Sequence, residues 1–454
     1  MKEEGLAQPK KMTEKNNKRD SFRSQWGFIL ACIGSAVGMG NIWMFPIRVH
    51  KFGGFTFLIP YIFFVIVIGY SGIIEEMALG RGLKSGPRGA FLKATQMRGS
   101  NIGKYIGLIP VVGSFAIAIG YTVVVGWIIR FLVGAITGSM IDAPDSGAYF
   151  GTIAGPYGSL IWHAVAIIIC IVIMSYGIGS GIEKVNKVMM PAFFLFFIIL
   201  AIKVAMLSGS EEGYRFLFSP DFSELKDPQI WIYGLGQAFF SLSLAGSGTV
   251  VYGSYLSDED NIPYSAKWTA TFDTIAAMLA AIVIIPAIYA FQVEAAGGPP
   301  LMFIIMPSIF KSMVGGRIFS VIFFIAVLFA GISSLINLYE TPVEMLEERF
   351  GIGRKTATII ILFIGFIVGI GIENGDVLGA WMDAVSIYVI PLGALLAAII
   401  FGWVLDKEFA IREIFKGTGR KVGENELIYT WIKYVYVGIS LAVYLIGIFW
   451  GAIG

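Results

Sequence analysis

From residue 25 onward the chain is a succession of long apolar runs separated by short polar connections. Crossing a hydrocarbon core of roughly 30 Å takes about 20 apolar residues in a helix. Eleven runs are candidates for such spans, at 25–49, 54–80, 103–137, 159–178, 184–207, 229–256, 264–292, 316–349, 355–371, 376–404 and 429–453. Several are longer than a perpendicular span needs, which implies tilt, kinks or extension beyond the lipid. The pattern predicts an all-α polytopic membrane protein of eleven transmembrane helices. Residues 1–24 are polar and read as a cytoplasmic tail without the apolar core of a signal peptide.

Two of these runs are interrupted. Span one contains Gly34-Ser35-Ala36-Val37-Gly38-Met39-Gly40-Asn41 with Pro46 beyond, and span six contains Ser241-Leu242-Ser243-Leu244-Ala245-Gly246-Ser247-Gly248. Glycine costs about 1 kcal/mol relative to alanine inside a helix. Such clusters beside Asn and Ser predict local breaks, whose freed amides and carbonyls lipid cannot satisfy. Close helix packing would explain one such cluster. A pair at positions one and six points instead to a five-plus-five inverted repeat (25–207 and 229–404, with 429–453 added) and a site at the midplane. Further polar groups lie at depth. Asp273 is in span seven, and Ser333-Ser334 follow Ala330 in span eight. A membrane-buried Asp costs at least about 2.5 kcal/mol on insertion scales and needs a cation, a partner or a proton. Asn, Ser and Asp oxygens suit small hard cations.

Charge then orients the spans. Lys and Arg crowd the first 24 residues, the loop 81–104 and the loop 407–421, whereas the loop after span three has Asp142 and Asp145 and no basic residue. This pattern predicts a multi-pass plasma-membrane protein with a cytoplasmic N-terminus and an extracellular C-terminus. Asp258-Glu259-Asp260 would then be an acidic cytoplasmic loop, which weighs little in that rule. Composition agrees with the bilayer as solvent, since 56% of residues are hydrophobic and only 14% charged. Cys32 and Cys170 lie inside apolar runs, and His50 and His163 are isolated, so no metal-ligand or nucleophile–base spacing supports an enzyme. The basic residues form no long tract interleaved with aromatics, which argues against a nucleic-acid partner.

These residues resemble the neurotransmitter:sodium symporter family, and most of all its bacterial transporters of several hydrophobic amino acids. The likeness is carried by Gly34 to Pro46, Glu76-Met-Ala-Leu-Gly-Arg81, Gln237-Ala-Phe-Phe-Ser-Leu-Ser243 and Phe329-Ala-Gly-Ile-Ser-Ser334. The resemblance implies two sodium sites. The first would use the Ala36 carbonyl, Asn41, Ser241, Asp273 and the substrate carboxylate. The second would use carbonyls of Gly34, Val37 and Ala330 with the hydroxyls of Ser333 and Ser334. It also implies a substrate pocket of Ala36, Met39, Gly40, Ile117, Tyr121, Phe240, Ser243, Gly246, Ser334 and Leu338, closed from outside by Tyr121 and Phe240.

Members that carry amines place an Asp at Gly38, so a zwitterion with its own carboxylate is expected here. Gly246 replaces a bulky aromatic of a leucine-selective member, which implies room for large aliphatic and aromatic substrates. Asp273 replaces a neutral residue of chloride-dependent members, so no chloride requirement is expected. At the cytoplasmic gate the likeness implies Arg19 with Glu348, and Phe22 where a Trp is common. At the outer gate the usual Arg is Met44, its acidic partner corresponds to Asp383, and Arg48 lies one turn on. Gly181 and Pro191 match a fifth-helix motif linked to unwinding on the cytoplasmic side. Among other classes, a channel would use similar oxygens but lacks a repeated filter motif, and a sensor without transport is compatible with the sequence.

Overall fold

A computed structural model describes residues 20–420 and 426–451, and among these all regular structure is helical. Seven helices are long and apolar enough to cross a bilayer: Phe55–Leu83, Gly103–Thr137, Ile178–Ala205, Ile262–Phe291, Gly316–Phe350, Gly375–Val404 and Leu427–Trp450. An eighth crossing is a pair, Gln25–Ala36 and Gly40–Lys51, bent by 52° at the break predicted in span one. The other three expected spans are built from shorter helices. Span four is Leu160–Ser175, span six is split into Pro228–Ser241 and Gly248–Ser254, and span nine is Arg354–Ile370. At 1.5 Å per residue, 16 or 17 residues reach only about 25 Å.

The helix boundaries follow capping chemistry more than hydrophobicity. Ser24 starts span one by accepting from Gly27 N, and Asn261 starts span seven by accepting from Tyr264 N ahead of Pro263. Span three stops at Gly138, whose φ of +94° closes the helix in the left-handed region. Short helices at Pro87–Gln96, Ser146–Ala154, Ser210–Phe218, Leu301–Ser312 and Lys407–Phe415 occupy the connections. The hydropathy pattern did not separate these from loops, because they are too short to carry a span signal.

Span eight packs along span three, and spans one, five and seven pack together beside it. Span eight is the hub of the bundle, and its helix is continuous through Ala330–Asn337, all buried. The broken halves of spans one and six therefore lie against an unbroken scaffold.

The loops near Lys84–Ile102 and Asp406–Arg420 share one end, the basic end. There Arg81 meets Glu413 at 3.5 Å and donates to the Asp260 carbonyl at 2.6 Å. The acidic loop that stood out in the charge pattern is neutralised locally. Asp258 lies 2.8 Å from Lys416 and 3.5 Å from Lys84. The hydrogen bond from Lys416 holds the Asp258 carboxyl below its usual range.

Candidate functional site

The break in span one leaves the helix at Val37, which turns to extended backbone, and the chain re-enters helix at Gly40. The carbonyl oxygens of Gly34, Ser35 and Val37 are thereby aimed at one point, 3.1, 3.3 and 3.1 Å from the Ser334 hydroxyl. A hydroxyl has a single hydrogen, so it satisfies one of these carbonyls at a time. The others present lone pairs to a buried spot, which is what a small hard cation requires. Ser333 turns back to its own helix, donating to the Ala330 carbonyl at 3.1 Å. Gly34 is glycine because space demands it. A Cβ there would lie 2.2 Å from Asn186 Oδ1 and 2.8 Å from Ser333 Cβ.

A second oxygen cluster lies on the other side of the break. Asn41 Nδ2 donates to Asp273 Oδ1 at 2.8 Å and to Ser241 Oγ at 3.1 Å, and Ser241 donates to Asp273 Oδ2 at 2.7 Å. All three residues are buried, Asn41 and Asp273 completely. Asn41 Oδ1 accepts from Gly38 N at 3.1 Å and so braces the break from within. The Asn41 amide and the Ser241 hydroxyl here donate the hydrogen bonds that the buried carboxyl group needs, and the positive charge is left for a cation to supply. Among the described residues no group of three His, Cys, Asp or Glu could hold a metal. The candidate donors are carbonyls, hydroxyls, one amide and one carboxylate, a set suited to sodium rather than to a transition metal.

The break in span six runs from Leu242 to Ser247, with Ser243 at φ +53° and Gly246 at φ +64°. Its freed amides are taken up from a neighbouring helix. Ala245 N and Gly246 N donate to Glu76 Oε1 at 3.0 and 2.7 Å. Ser243 Oγ donates to the Ser35 carbonyl at 3.0 Å and ties the two breaks together.

Between the breaks is a cavity of about 650 Å³, within the usual range for small-molecule sites. Of the ten residues expected in the substrate pocket, Ala36, Met39, Gly40, Ile117, Tyr121, Phe240, Ser243, Ser334 and Leu338 line it. Tyr121 OH accepts from Met39 N at 2.9 Å, and the Phe240 ring covers Gly40. Gly246 is not in the lining. A Cβ at Gly246 would point at the Gly393 carbonyl, 2.3 Å away, so the missing side chain frees no space in this cavity. Gly38 is crowded too, since a Cβ would meet Tyr121 OH at 2.7 Å and Ser334 Oγ at 2.9 Å. Asn337, which the sequence reading did not single out, lines the cavity and donates to the Gly248 carbonyl at 3.3 Å. Asn186 and Glu76 were likewise missed as contributors. Their importance comes from the breaks they face, and no spacing within their own helices announces it.

The cavity continues to Pro299, Asn374, Asp376 and Asp383, at the end opposite the basic loops. Asp383 is exposed on its wall, and Arg48 is engaged elsewhere, donating to Gln237 Oε1 at 2.9 Å. At the basic end the molecule is closed. The Phe22 ring packs edge-on against Phe28 and Tyr252, with centroids 5.1 and 5.5 Å apart. Arg23 N and Ser24 Oγ hydrogen-bond to Glu183, at 2.6 and 3.0 Å. Arg19 lies outside the described residues. Glu348 has Ser85 at 2.7 Å and Lys93 at 3.2 Å as partners. Gly181 and Pro191 lie in the continuous helix Ile178–Ala205, and Gly181 lets it approach the end of span four, where a Cβ would be 2.1 Å from the Ile173 carbonyl.

Comparison with known proteins places the chain among sodium-dependent transporters. The model of the sodium:neurotransmitter symporter family matches residues 19–143 and 153–452. An uncharacterized sodium-dependent transporter of Haemophilus influenzae is 30% identical over 96% of this chain and 99% of its own length. The uncharacterized sodium-dependent transporter YhdH of Bacillus subtilis is also 30% identical, over 94% and 96%. Among solved structures, MhsT in complex with L-phenylalanine superposes with a TM-score of 0.84 at 35% identity, covering 94% of this chain and 99% of that one.

Proposed function

The chain belongs to the sodium:neurotransmitter symporter family, and from that premise we propose that it takes up hydrophobic L-amino acids, large aliphatic and aromatic, by sodium-coupled alternating access. The observation that carries this reading is the cavity at the paired breaks. It has apolar walls from Ile117, Tyr121, Phe240 and Leu338, and Asn41 and Ser241, which both hydrogen-bond to Asp273, are in its lining. MhsT, similar over 94% of this chain, was solved in complex with L-phenylalanine.

The chemistry follows from the groups present. A substrate carboxylate placed near the first sodium, beside the Tyr121 hydroxyl and the start of the second half-helix, meets positive charge from both ion and helix end. The half-helix ending at Ala36 turns its carbonyls the other way, toward sodium. Gly38 leaves no counter-charge for a bare amine and no room for one, so a zwitterion is preferred to an amine. The ion and the cargo share a contact, and neither is bound well alone. Asp273 supplies the negative charge that chloride would otherwise bring, so transport proceeds without chloride.

In this reading the basic end is cytoplasmic and the cavity opens outward. The closure by Phe22, Phe28 and Tyr252 is the inner gate, joined by Arg19 and Glu348, while Tyr121, Phe240 and Asp383 belong to the outer one. Unwinding between Gly181 and Pro191 opens the inner path. The deciding experiment is uptake of radiolabelled phenylalanine, leucine and tryptophan into proteoliposomes. Uptake is expected with an inward sodium gradient, in the presence or absence of chloride. Equal uptake with potassium replacing sodium, or transport of glycine and alanine alone, would refute the proposal.

A further inference from the structure

Asn186 is fully buried in span five, yet its Oδ1 has no hydrogen-bond donor. The orientation of its amide is fixed by chemistry, because Nδ2 donates to the Ile182 carbonyl at 2.9 Å. Turning the amide over would set two acceptors against each other. Oδ1 is thus held against span one, 2.2 Å from where a Gly34 Cβ would be, with Ser333 Cβ 2.8 Å from that same point. Gly34 is also one of the residues whose carbonyls converge on Ser334. An unpaired acceptor at this depth costs about 1–3 kcal/mol and calls for a water, an ion or a compensating role. Contact with the Gly34 Cα hydrogens is too weak to replace a hydrogen bond.

We infer that Asn186 Oδ1 is an oxygen ligand of the second sodium site, contributed by span five to the set formed by spans one and eight. This rests on the reading of that site as a sodium site. It adds a neutral, hard donor to carbonyls and hydroxyls, the chemistry already present there. It also makes span five part of the ion site, between Gly181 and Pro191. Loss of the ion then leaves Asn186 unsatisfied in a dry interior, and water entry along span five relieves that cost. Sodium occupancy and the integrity of span five are thereby linked.

The test is a sodium titration of the melting temperature of the purified full-length protein, with choline keeping ionic strength constant and no substrate present. The wild type is expected to be stabilised by sodium. Asn186→Ala is expected to raise the half-saturating sodium concentration roughly tenfold, while Asn186→Asp, which keeps an oxygen, stays within about threefold of the wild type or binds more tightly. Asn186→Ala with a lowered sodium-free melting temperature but an unchanged half-saturation would make the residue merely structural and overturn the inference. A wild type stabilised by sodium alongside an unshifted Asn186→Ala overturns this inference alone. A wild type with no sodium response overturns the transport reading as well.

Discussion

At the scale of single residues, the site is governed by atoms that fit only one way. Gly34 is the clearest case, since even a methyl group there would strike Asn186 and Ser333. Gly34→Ala is expected to abolish the sodium-dependent stabilisation while leaving a folded protein, as checked by sodium titration of the melting curve beside size-exclusion chromatography. Tyr121→Phe removes the acceptor for Met39 N and leaves that buried amide unpaired. A loss of 1–3 kcal/mol on this account raises the KM for phenylalanine about tenfold or more, measured by initial-rate uptake. Asp273→Asn removes the carboxylate that Asn41 and Ser241 both hold. The variant is expected to lose transport or to regain it only with chloride, which uptake in chloride and gluconate media distinguishes. Most of these residues were legible in the sequence, because glycine clusters and an intramembrane Asp are costly and demand a reason. Gly246 shows the limit of that reasoning. Its type was noticed, but the direction of its missing side chain depends on a φ of +64° that only the folded break defines.

At the scale of elements, the breaks in spans one and six were visible as strings of small residues, and both occur. What holds them was not visible. Glu76 belongs to span two, Asn186 to span five and Asn337 to span eight, and each is one of several polar residues in its helix. Nothing in their own sequence neighbourhood says which break they serve. Glu76 is the one whose removal is most diagnostic. Glu76→Leu leaves the Ala245 and Gly246 amides without acceptors, at about 1–3 kcal/mol each. The melting temperature is expected to fall by several degrees, and Glu76→Gln, which keeps a carbonyl oxygen, by much less. Span four was overestimated in a different sense, since its apolar run extends past Ser175 into a connecting turn that hydropathy does not separate from helix, whereas span nine matches its run to within one residue.

At the scale of the whole molecule, the state described is closed at the basic end and open at the other. A membrane potential of 100 mV contributes about 2.3 kcal/mol per charge, and a tenfold sodium gradient about 1.4 kcal/mol. On the two-site reading implied by the family likeness, two sodium ions would supply about 7 kcal/mol per cycle, enough for an accumulation ratio near 10⁵ if coupling is tight. Tight coupling requires that the two ends never open together. The topology provides a clean way to watch this, because Cys32 and Cys170 are both buried and leave little reactive background. Gly379 lines the open cavity and has free space around its Cβ direction. Gly379→Cys is expected to react with a membrane-impermeant thiol reagent applied from outside, and to be protected severalfold by sodium with phenylalanine. Labelling from the cytoplasmic side instead would invert the assigned orientation.

The closure at the basic end has a consequence for how such a machine fails. Residues 20–24 lie ahead of the first helix and fasten onto the start of span five. Asp20 accepts from Ile178 N at 2.5 Å, Arg23 bonds to Ser180, and Ser24 and Arg23 reach Glu183. This clasp is the outer layer of the seal, and behind it the Phe22 ring packs onto the fully buried Phe28 and Tyr252 of the core. A proteolytic nick or a truncation just beyond Phe22 removes the Asp20 and Phe22 contacts without touching the proposed ion and substrate groups, and on the transport reading it loosens the inner closure and favours escape of cargo to the basic side.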